Sequence, residues 1–460
     1  MRKSFLALIL AAGEGTRFKS EKAKILHPLL GKSMLRLVAD AVFSLRPEKV
    51  SIVIGYQKEE VRREVPSGNV KFICQIRQLG TAHAVMAARK ILKEKRERDL
   101  LIVPADLPLI RPSALKSLLA QHQREGNSLT LMSAELPEPG GYGRIIRSKD
   151  GSLKIVEEKD ASLRERTIKE VNGGVYVFKI KDLLQALPKI SNLNKKREYY
   201  LTDAVEIMSR MGKKIGIQRA TDASDFLAIN TRYELAKATD VLRERKIREL
   251  AEKGVTVYDP HTTWIDLDVE IGRDTVIYSS VIIEGKSRIG SDCRLYPFAH
   301  LIDSRVGNHV RILSSTVIEK SIIEDGVQVG PFAHLRPKTV LRSGSKVGNF
   351  VEMKNTIFGR RSKAGHLTYL GDSEVEDEVN IGAGTITCNY DGIRKSKTFI
   401  ERGAFIGSGT ELVAPVRVGK GSYIGAGSTI TKSVSPGALA FSRAKQIEKP
   451  DWAKRRIKKK

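Results

Sequence analysis

Residues 271–307 read IGRDTVIYSSVIIEGKSRIGSDCRLYPFAHLIDSRVG, with Ile-Gly or Val-Gly at Ile271-Gly272, Ile289-Gly290 and Val306-Gly307. The pair recurs at Val329-Gly330, Val347-Gly348, Ile381-Gly382, Ile406-Gly407, Val418-Gly419 and Ile424-Gly425. The first steps between glycines are 18, 17, 23 and 18, and the last two are 12 and 6. Multiples of six with single-residue slips are the hexapeptide signature of a parallel β-helix, whose coils stack aliphatic residues on one another. The repeat's largest interruption, between Gly382 and Gly407, contains Thr387-Cys-Asn-Tyr-Asp-Gly-Ile-Arg394. It predicts a loop extruded from the coil, a place where function concentrates on rigid scaffolds.

Upstream of residue 255 the period changes. Short apolar runs (LALILAAG, VSIVIG, DLLIVPAD, SLTLMSAEL, GGVYVF) alternate with helical stretches such as SMLRLVADAVFSL and TAHAVMAARKILKEKRE. This alternation predicts an α/β domain with a largely parallel sheet, which binds ligands beyond the carboxyl ends of its strands. Residues 231–254 carry Leu235, Ala238 and Leu242 on one face and end at Gly254, which predicts a connecting helix. The expected organisation is therefore a domain over 1–230, a helix over 231–254, a β-helix over 255–445 and a basic tail over 446–460.

Composition narrows the function classes. The chain has 460 residues, 41% hydrophobic and 29% charged, as expected of a globular protein, and no run long enough to span a membrane. Arg2-Lys3 followed by FLALILAA resembles a secretory signal, but the run passes directly into Gly13-Glu-Gly-Thr-Arg17 and reads as a buried first strand. Three cysteines suit neither a disulfide framework nor a zinc site, which points to a reducing, cytoplasmic setting. A net charge of +27 fits either a solvated basic surface or attraction to polyanions and phosphorylated substrates, and 6% aromatics argue against nucleic acid. Only KRRIKKK, residues 454–460, is a true basic run.

Two glycine motifs fail on inspection. Phe18 stands where a dinucleotide fingerprint beginning at Gly13-Glu14-Gly15 needs its third glycine, and Leu26 where a P-loop ending in Gly31-Lys32-Ser33 needs its first. What remains is Leu10-Ala11-Ala12-Gly13-Glu-Gly-Thr-Arg17-Phe, Lys24-Ile-Leu-His-Pro and Gln75-Ile-Arg-Gln-Leu-Gly80-Thr81-Ala-His. Glycines after a strand let backbone N–H groups approach phosphate, and Arg17 and Lys24 supply countercharge. Asp106, at a strand's carboxyl end, suits Mg²⁺, which takes one or two protein oxygens plus substrate phosphates. His366 carries an imidazole, the side-chain type suited to taking a proton from an amine nucleophile near neutrality, but as one of eight histidines it reads by itself equally as the cap of a coil turn.

The N-terminal segments resemble the sugar-1-phosphate nucleotidylyltransferases. Gly330-Pro-Phe-Ala-His-Leu-Arg336-Pro, Gly348-Asn-Phe-Val-Glu352-Met-Lys354, Lys363-Ala-Gly-His366-Leu-Thr-Tyr369 and Asn380-Ile-Gly-Ala383-Gly-Thr-Ile-Thr-Cys-Asn389-Tyr390 narrow the resemblance. Together, from about residue 5 to 445, they resemble the bacterial bifunctional N-acetylglucosamine-1-phosphate uridylyltransferase/glucosamine-1-phosphate N-acetyltransferase family. The resemblance implies a Rossmann-like nucleotidyltransferase domain followed by a left-handed parallel β-helix, assembled as a homotrimer with acetyl-coenzyme A between subunits. It implies UTP, acetyl-coenzyme A, glucosamine-1-phosphate and N-acetylglucosamine-1-phosphate as substrates, and Mg²⁺ held by Asp106 and Asn230. The output would be UDP-N-acetylglucosamine, a precursor of peptidoglycan and lipopolysaccharide.

It also implies residue roles. Leu10, Ala11, Ala12, Gly13, Arg17, Lys24, Gln75, Gly80, Thr81, Gly143, Glu157, Asn172 and Asn230 would contact the nucleotide sugar. His366 would be the base of acetyl transfer, with Arg336, Lys354, Tyr369 and Asn380 on the sugar phosphate and Glu352 either orienting His366 or steering the amine. Ala383, Asn389, Tyr390, Ser408, Ala426 and Arg443 would contact acetyl-coenzyme A. Ala105 before Asp106 and Ala23 before Lys24 depart from the family's usual glycine and proline. Two rival readings are a monofunctional nucleotidylyltransferase with a structural or regulatory β-helix, and a non-enzymatic basic binding module.

Overall fold

The computed structural model describes residues 4–457 except 66, 67, 69, 149 and 150; the last three residues of the basic run lie outside the described residues. Contacts divide the chain into two compact units, Met1–Leu242 and Arg243–Lys460. A helix at Arg232–Glu252 runs across that division.

The first unit is built on a sheet of β1 (Phe5–Ala11), β2 (Lys49–Ile54), β3 (Val70–Cys74), β4 (Asp99–Pro104), β5 (Leu129–Glu135), β6 (Arg144–Arg147), β7 (Leu153–Val156), β8 (Glu170–Lys179) and β9 (Ile215–Arg219). The main order is β9-β5-β8-β4-β1-β2-β3, with the β6–β7 hairpin attached to β8. Strand β1 is the sequence FLALILA and is almost wholly buried, because helices cover both faces of a parallel sheet. Its side chains split between two cores, Phe5, Ala7 and Ile9 on one face and Leu6 and Leu8 on the other. The sheet is not wholly parallel, since β8 runs antiparallel to both β4 and β5. The stretch TAHAVMAARKILKEKRE, read as one helix, forms two, Thr81–Ala87 and Arg89–Glu94. The break is a tight turn in which Ala88 N–H bonds back to the Val85 carbonyl.

The second unit is a left-handed parallel β-helix of three sheet faces. Each coil advances 17 or 18 residues: Arg288 pairs with Arg305, Arg305 with Ile322 and Ile322 with Val340. On one face Ile271, Ile289, Val306, Ile323, Leu341, Phe358, Val375, Ile400 and Val418 stack into one buried column. A second column runs through Ile277, Leu295, Ile312, Val329, Val347, Ala364, Ile381, Ile406 and Ile424. The nine glycine pairs divide between these columns, which explains the 23-residue step from Gly307 to Gly330: one coil plus one face. Glycine follows the column because coils touch there; a Cβ at Gly348 would overlap the Gly365 carbonyl oxygen. Across the interruption Asn380 pairs with Phe405, so the surplus residues leave the coil as a loop closed by Ser396 N–H to Asn389 O at 2.9 Å. Among the described residues, no helix is long and apolar enough to cross a membrane.

Candidate functional site

In the first unit the carboxyl ends of β1 and β4 open into a cavity of about 510 Å³. Its lining includes Leu10, Ala11, Ala12, Gly13, Lys24, Gln75, Gly80, Thr81 and Asp106. A second cavity of about 660 Å³ shares Gly15, Thr16, Lys24 and Glu198 with it and adds Arg17, Glu157 and Asn230. The sequence-chosen residues from six separate segments thus line two adjoining cavities.

Their shared centre is Lys24. Gly15 adopts φ 67°, and a Cβ there would meet the Lys24 side chain at 2.7 Å, so glycine lets the loop fold over the lysine stem. Lys24 Nζ donates to Asp106 Oδ2 at 2.7 Å and to Asn230 Oδ1 at 3.3 Å, and Arg17 Nη2 reaches the same Asn230 oxygen at 2.9 Å. The helix start orients Asn230: Glu234 Oε2 accepts from the backbone N–H groups of Asn230 and Thr231, while Glu234 N–H donates to Thr231 Oγ1. Ile229 N–H donates to the Asp106 carbonyl at 3.0 Å, tying the two oxygen-bearing segments together.

Asp106 Oδ2 and Asn230 Oδ1 therefore converge on one cation, the Lys24 ammonium. A carboxylate and an amide oxygen aimed at one positive charge fit Mg²⁺, which takes few protein oxygens and completes its shell with phosphates and water. Among the described residues, no cluster of three or more His, Cys, Asp or Glu offers a complete protein cage.

Gly143, Glu157 and Asn172 gather at the β6–β8 side. Asn172 N–H donates to the Gly143 carbonyl at 2.8 Å, and the Asn172 amide donates to the Tyr176 phenol at 2.7 Å. Burial pushes the Glu157 carboxyl above its usual range, partly offset by the Thr202 hydroxyl donating to Oε1 at 3.1 Å. Asp203 nearby is raised to about 6, by burial first and then by Glu157. The departure at Ala23 has a local reason: its N–H donates to Gln57 Oε1 at 2.7 Å, a bond proline cannot make.

In the β-helix, Asn349, His366, Ala383, Ser408 and Ala426 stand two residues beyond the second buried column, at one position of successive coils. His366 Nδ1 lies 2.5 Å from Asn349 Oδ1. Small residues continue the line towards the C-terminus, and Arg443 Nη1 closes it by donating to the Ala426 carbonyl at 3.1 Å. A second group surrounds Arg336, whose Nη1 donates to Glu352 Oε1 at 2.8 Å. Glu352 pairs in register with Tyr369, and Gly371 makes room for the Tyr369 phenol, with which a Cβ would collide. Asn389 donates to Asp372 Oδ2 at 2.5 Å, while Tyr390 is largely exposed on the loop. Asn380 lies on the outer side of its strand, in register between Lys363 and Phe405.

Two residues escaped the sequence reading. Asn349 is the imidazole's partner, found only through the register that sets it against His366. Lys395, from the extruded loop, stands beside Lys354; with the Arg336 guanidinium it pushes the Lys354 ammonium below its usual range. Three cations concentrated in this way raise the local positive potential. The loop's position in the repeat was the available signal for Lys395.

These constellations define the class: a nucleotidyltransferase domain and a hexapeptide-repeat transferase on one chain. Residues 7–166 match the MobA-like NTP transferase domain, and 397–432 the bacterial transferase hexapeptide (six repeats). The chain is 47% identical over 452 residues to the bifunctional protein GlmU of Thermotoga maritima, covering 98% of this chain and 99% of that one. It is 44% identical over 448 residues to that of Acetivibrio thermocellus, covering 97% and 96%. With the GlmU of a Geobacillus species it shares 46% over 450 residues, covering 98% and 97%. The chain belongs to the bifunctional GlmU family and is a bifunctional nucleotidyltransferase and acetyltransferase.

Proposed function

We propose that the chain makes UDP-N-acetylglucosamine in two steps, acetyl transfer in the β-helix and then uridylyl transfer in the α/β domain. The supporting observation is the pairing, on one polypeptide, of an imidazole heading a small-residue column with an oxygen pair converging on Lys24.

In acetyl transfer the phosphate of glucosamine-1-phosphate lies against Arg336, Lys354 and Lys395, with Tyr369 and Asn380 on the sugar. Asn349 Oδ1 accepts a hydrogen bond from His366 Nδ1–H, which leaves the Nε2 lone pair to take a proton from the amine as it attacks the thioester; the C–S bond then breaks and coenzyme A leaves as the thiol, taking up that proton. Glu352 steers the amine through Arg336. Ala383, Ser408 and Ala426 let the acetyl-coenzyme A chain lie close to the coil, with Ser408 N–H facing the developing oxyanion and Asn389, Tyr390 and Arg443 flanking it.

In uridylyl transfer the loop Leu10–Gly13, with Gln75, Gly80 and Thr81, receives UTP, and Gly143, Glu157 and Asn172 hold N-acetylglucosamine-1-phosphate. Its phosphate oxygen attacks the α-phosphorus in line and pyrophosphate leaves. Arg17 and Lys24 neutralise the phosphates. Mg²⁺ held by Asp106 and Asn230 would neutralise further charge on the phosphate oxygens.

Uridylyl transfer is assigned to 1–230, the connecting helix to 231–254 and acetyl transfer to 255–445, in a cytoplasmic homotrimer. The division of contacts at Leu242 and the hexapeptide repeats support this organisation. A pair of assays tests the whole reading. With Mg²⁺ present, the protein should release thiol from glucosamine-1-phosphate and acetyl-coenzyme A, and pyrophosphate from N-acetylglucosamine-1-phosphate and UTP. Pyrophosphate from the second pair without thiol from the first would leave the β-helix a structural appendage.

A further inference from the structure

Arg294, Arg311, Gln328, Lys346, Lys363 and Asn380 occupy one outward position of six successive coils, each in register with the next. Four of the six are cations, and all four are exposed. Strand neighbours lie ~4.8 Å apart, so the row runs about 24 Å along one face. Like charges opposed across strands destabilise a sheet.

The acids on the adjoining corner do not relieve the row, because they are engaged elsewhere. Asp292 pairs with His309 at 2.8 Å, Asp325 accepts Asn308 N–H at 2.6 Å, and Glu378 pairs with Arg361 and Arg402. The field is visible at Tyr296. Its phenol is held below the usual range, first by the Arg311 hydrogen bond and then by the charges of Arg311 and Arg294. The row ends at Asn380, and its last cation, Lys363, shares a strand with His366.

We propose that this row is an electrostatic approach track that gathers the anionic substrates of acetyl transfer and delivers them to the coil of His366. The inference rests on the acetyl-transfer reading above. Clustered charge of one sign raises local substrate concentration and encounter rate in a salt-dependent way, without touching the reacting atoms. Coenzyme A carries a diphosphate and a phosphomonoester, whereas the sugar carries one phosphate, so the acetyl donor should respond more.

The test compares native protein with the Arg294→Ser/Arg311→Ser/Lys346→Ser variant, following thiol release from about 20 to about 500 mM salt. A Lys90→Ser/Lys93→Ser/Lys116→Ser variant makes the same change in net charge on the other unit. The row variant should lose ~3- to 10-fold in kcat/KM at low salt, mostly through KM for acetyl-coenzyme A. The loss should vanish at high salt, with kcat and uridylyl transfer unchanged. An unaltered salt slope overturns the proposal, as does an equal loss in the control variant or a fall confined to kcat. If the native protein releases no thiol, the acetyl-transfer reading falls and takes this inference with it. Thiol release with an unaltered slope removes the inference alone.

Discussion

His366 Nδ1 and Asn349 Oδ1 lie 2.5 Å apart on adjacent coils, in register with one another. An amide oxygen can only accept, so this contact places the ring proton on Nδ1 and the lone pair on Nε2. Register, rather than sequence distance, sets the protonation pattern of the proposed base.

His366→Ala should therefore cost acetyl transfer about 10²–10⁴-fold in kcat, the usual range for a lost general base. Pyrophosphate release should be unchanged. A thiol-release assay at saturating substrate checks the first, and a pyrophosphate assay on the same preparation checks the second.

Asn349→Ala removes the tautomer control but leaves the imidazole. We expect kcat for acetyl transfer to fall roughly tenfold with KM for both substrates unchanged, a smaller loss than deletion of the base. If Asn349 were only a coil spacer, kcat would hold while the melting temperature fell.

Asp106→Asn keeps the shape of the cleft and removes its charge. Pyrophosphate release should collapse while thiol release continues. Raising the Mg²⁺ concentration should recover part of the lost activity, because a neutral oxygen remains at the same position.

Asp203 links stability to pH. Burial and Glu157 raise its folded value to about 6 from an ordinary 3.8. The folded state thus prefers the protonated acid, and its contribution is present below about pH 4 and is lost as pH rises through 6. Asp203→Asn should raise the melting temperature at pH 7–8 and leave it unchanged near pH 4. Thermal melts at the two pH values measure the difference.

Phe358 fills the first buried column between Leu341 and Val375. Phe358→Ala should cost about 3–5 kcal/mol in the β-helix, because coils held by their neighbours cannot collapse around the cavity. Denaturant unfolding followed in that unit reads the loss.

Much of this molecule was legible because its periods are strict. The Ile/Val-Gly pairs named the coils, and the Gly382–Gly407 gap located the extruded loop without a structure. The buried run FLALILA and the loop after it marked the first strand and its carboxyl end. Less legible was β8: GGVYVF reads as a strand in either direction, and only its hydrogen bonds to β4 and β5 show it antiparallel.

The sequence by itself determined the two architectures and the loop that carries Arg17 and Lys24, since aliphatic period and glycine position are local properties of the chain; Asn230 entered only through the family resemblance. Tertiary structure alone decided the pairings between side chains. It set Asn349 rather than Glu352 against His366, brought Lys395 to Lys354, and closed Asp106 and Asn230 on one ammonium. The physical reason is that a coil of 17 or 18 residues, or a parallel crossover, brings together groups far apart in the chain. Their contact depends on register and turn geometry summed over every intervening residue.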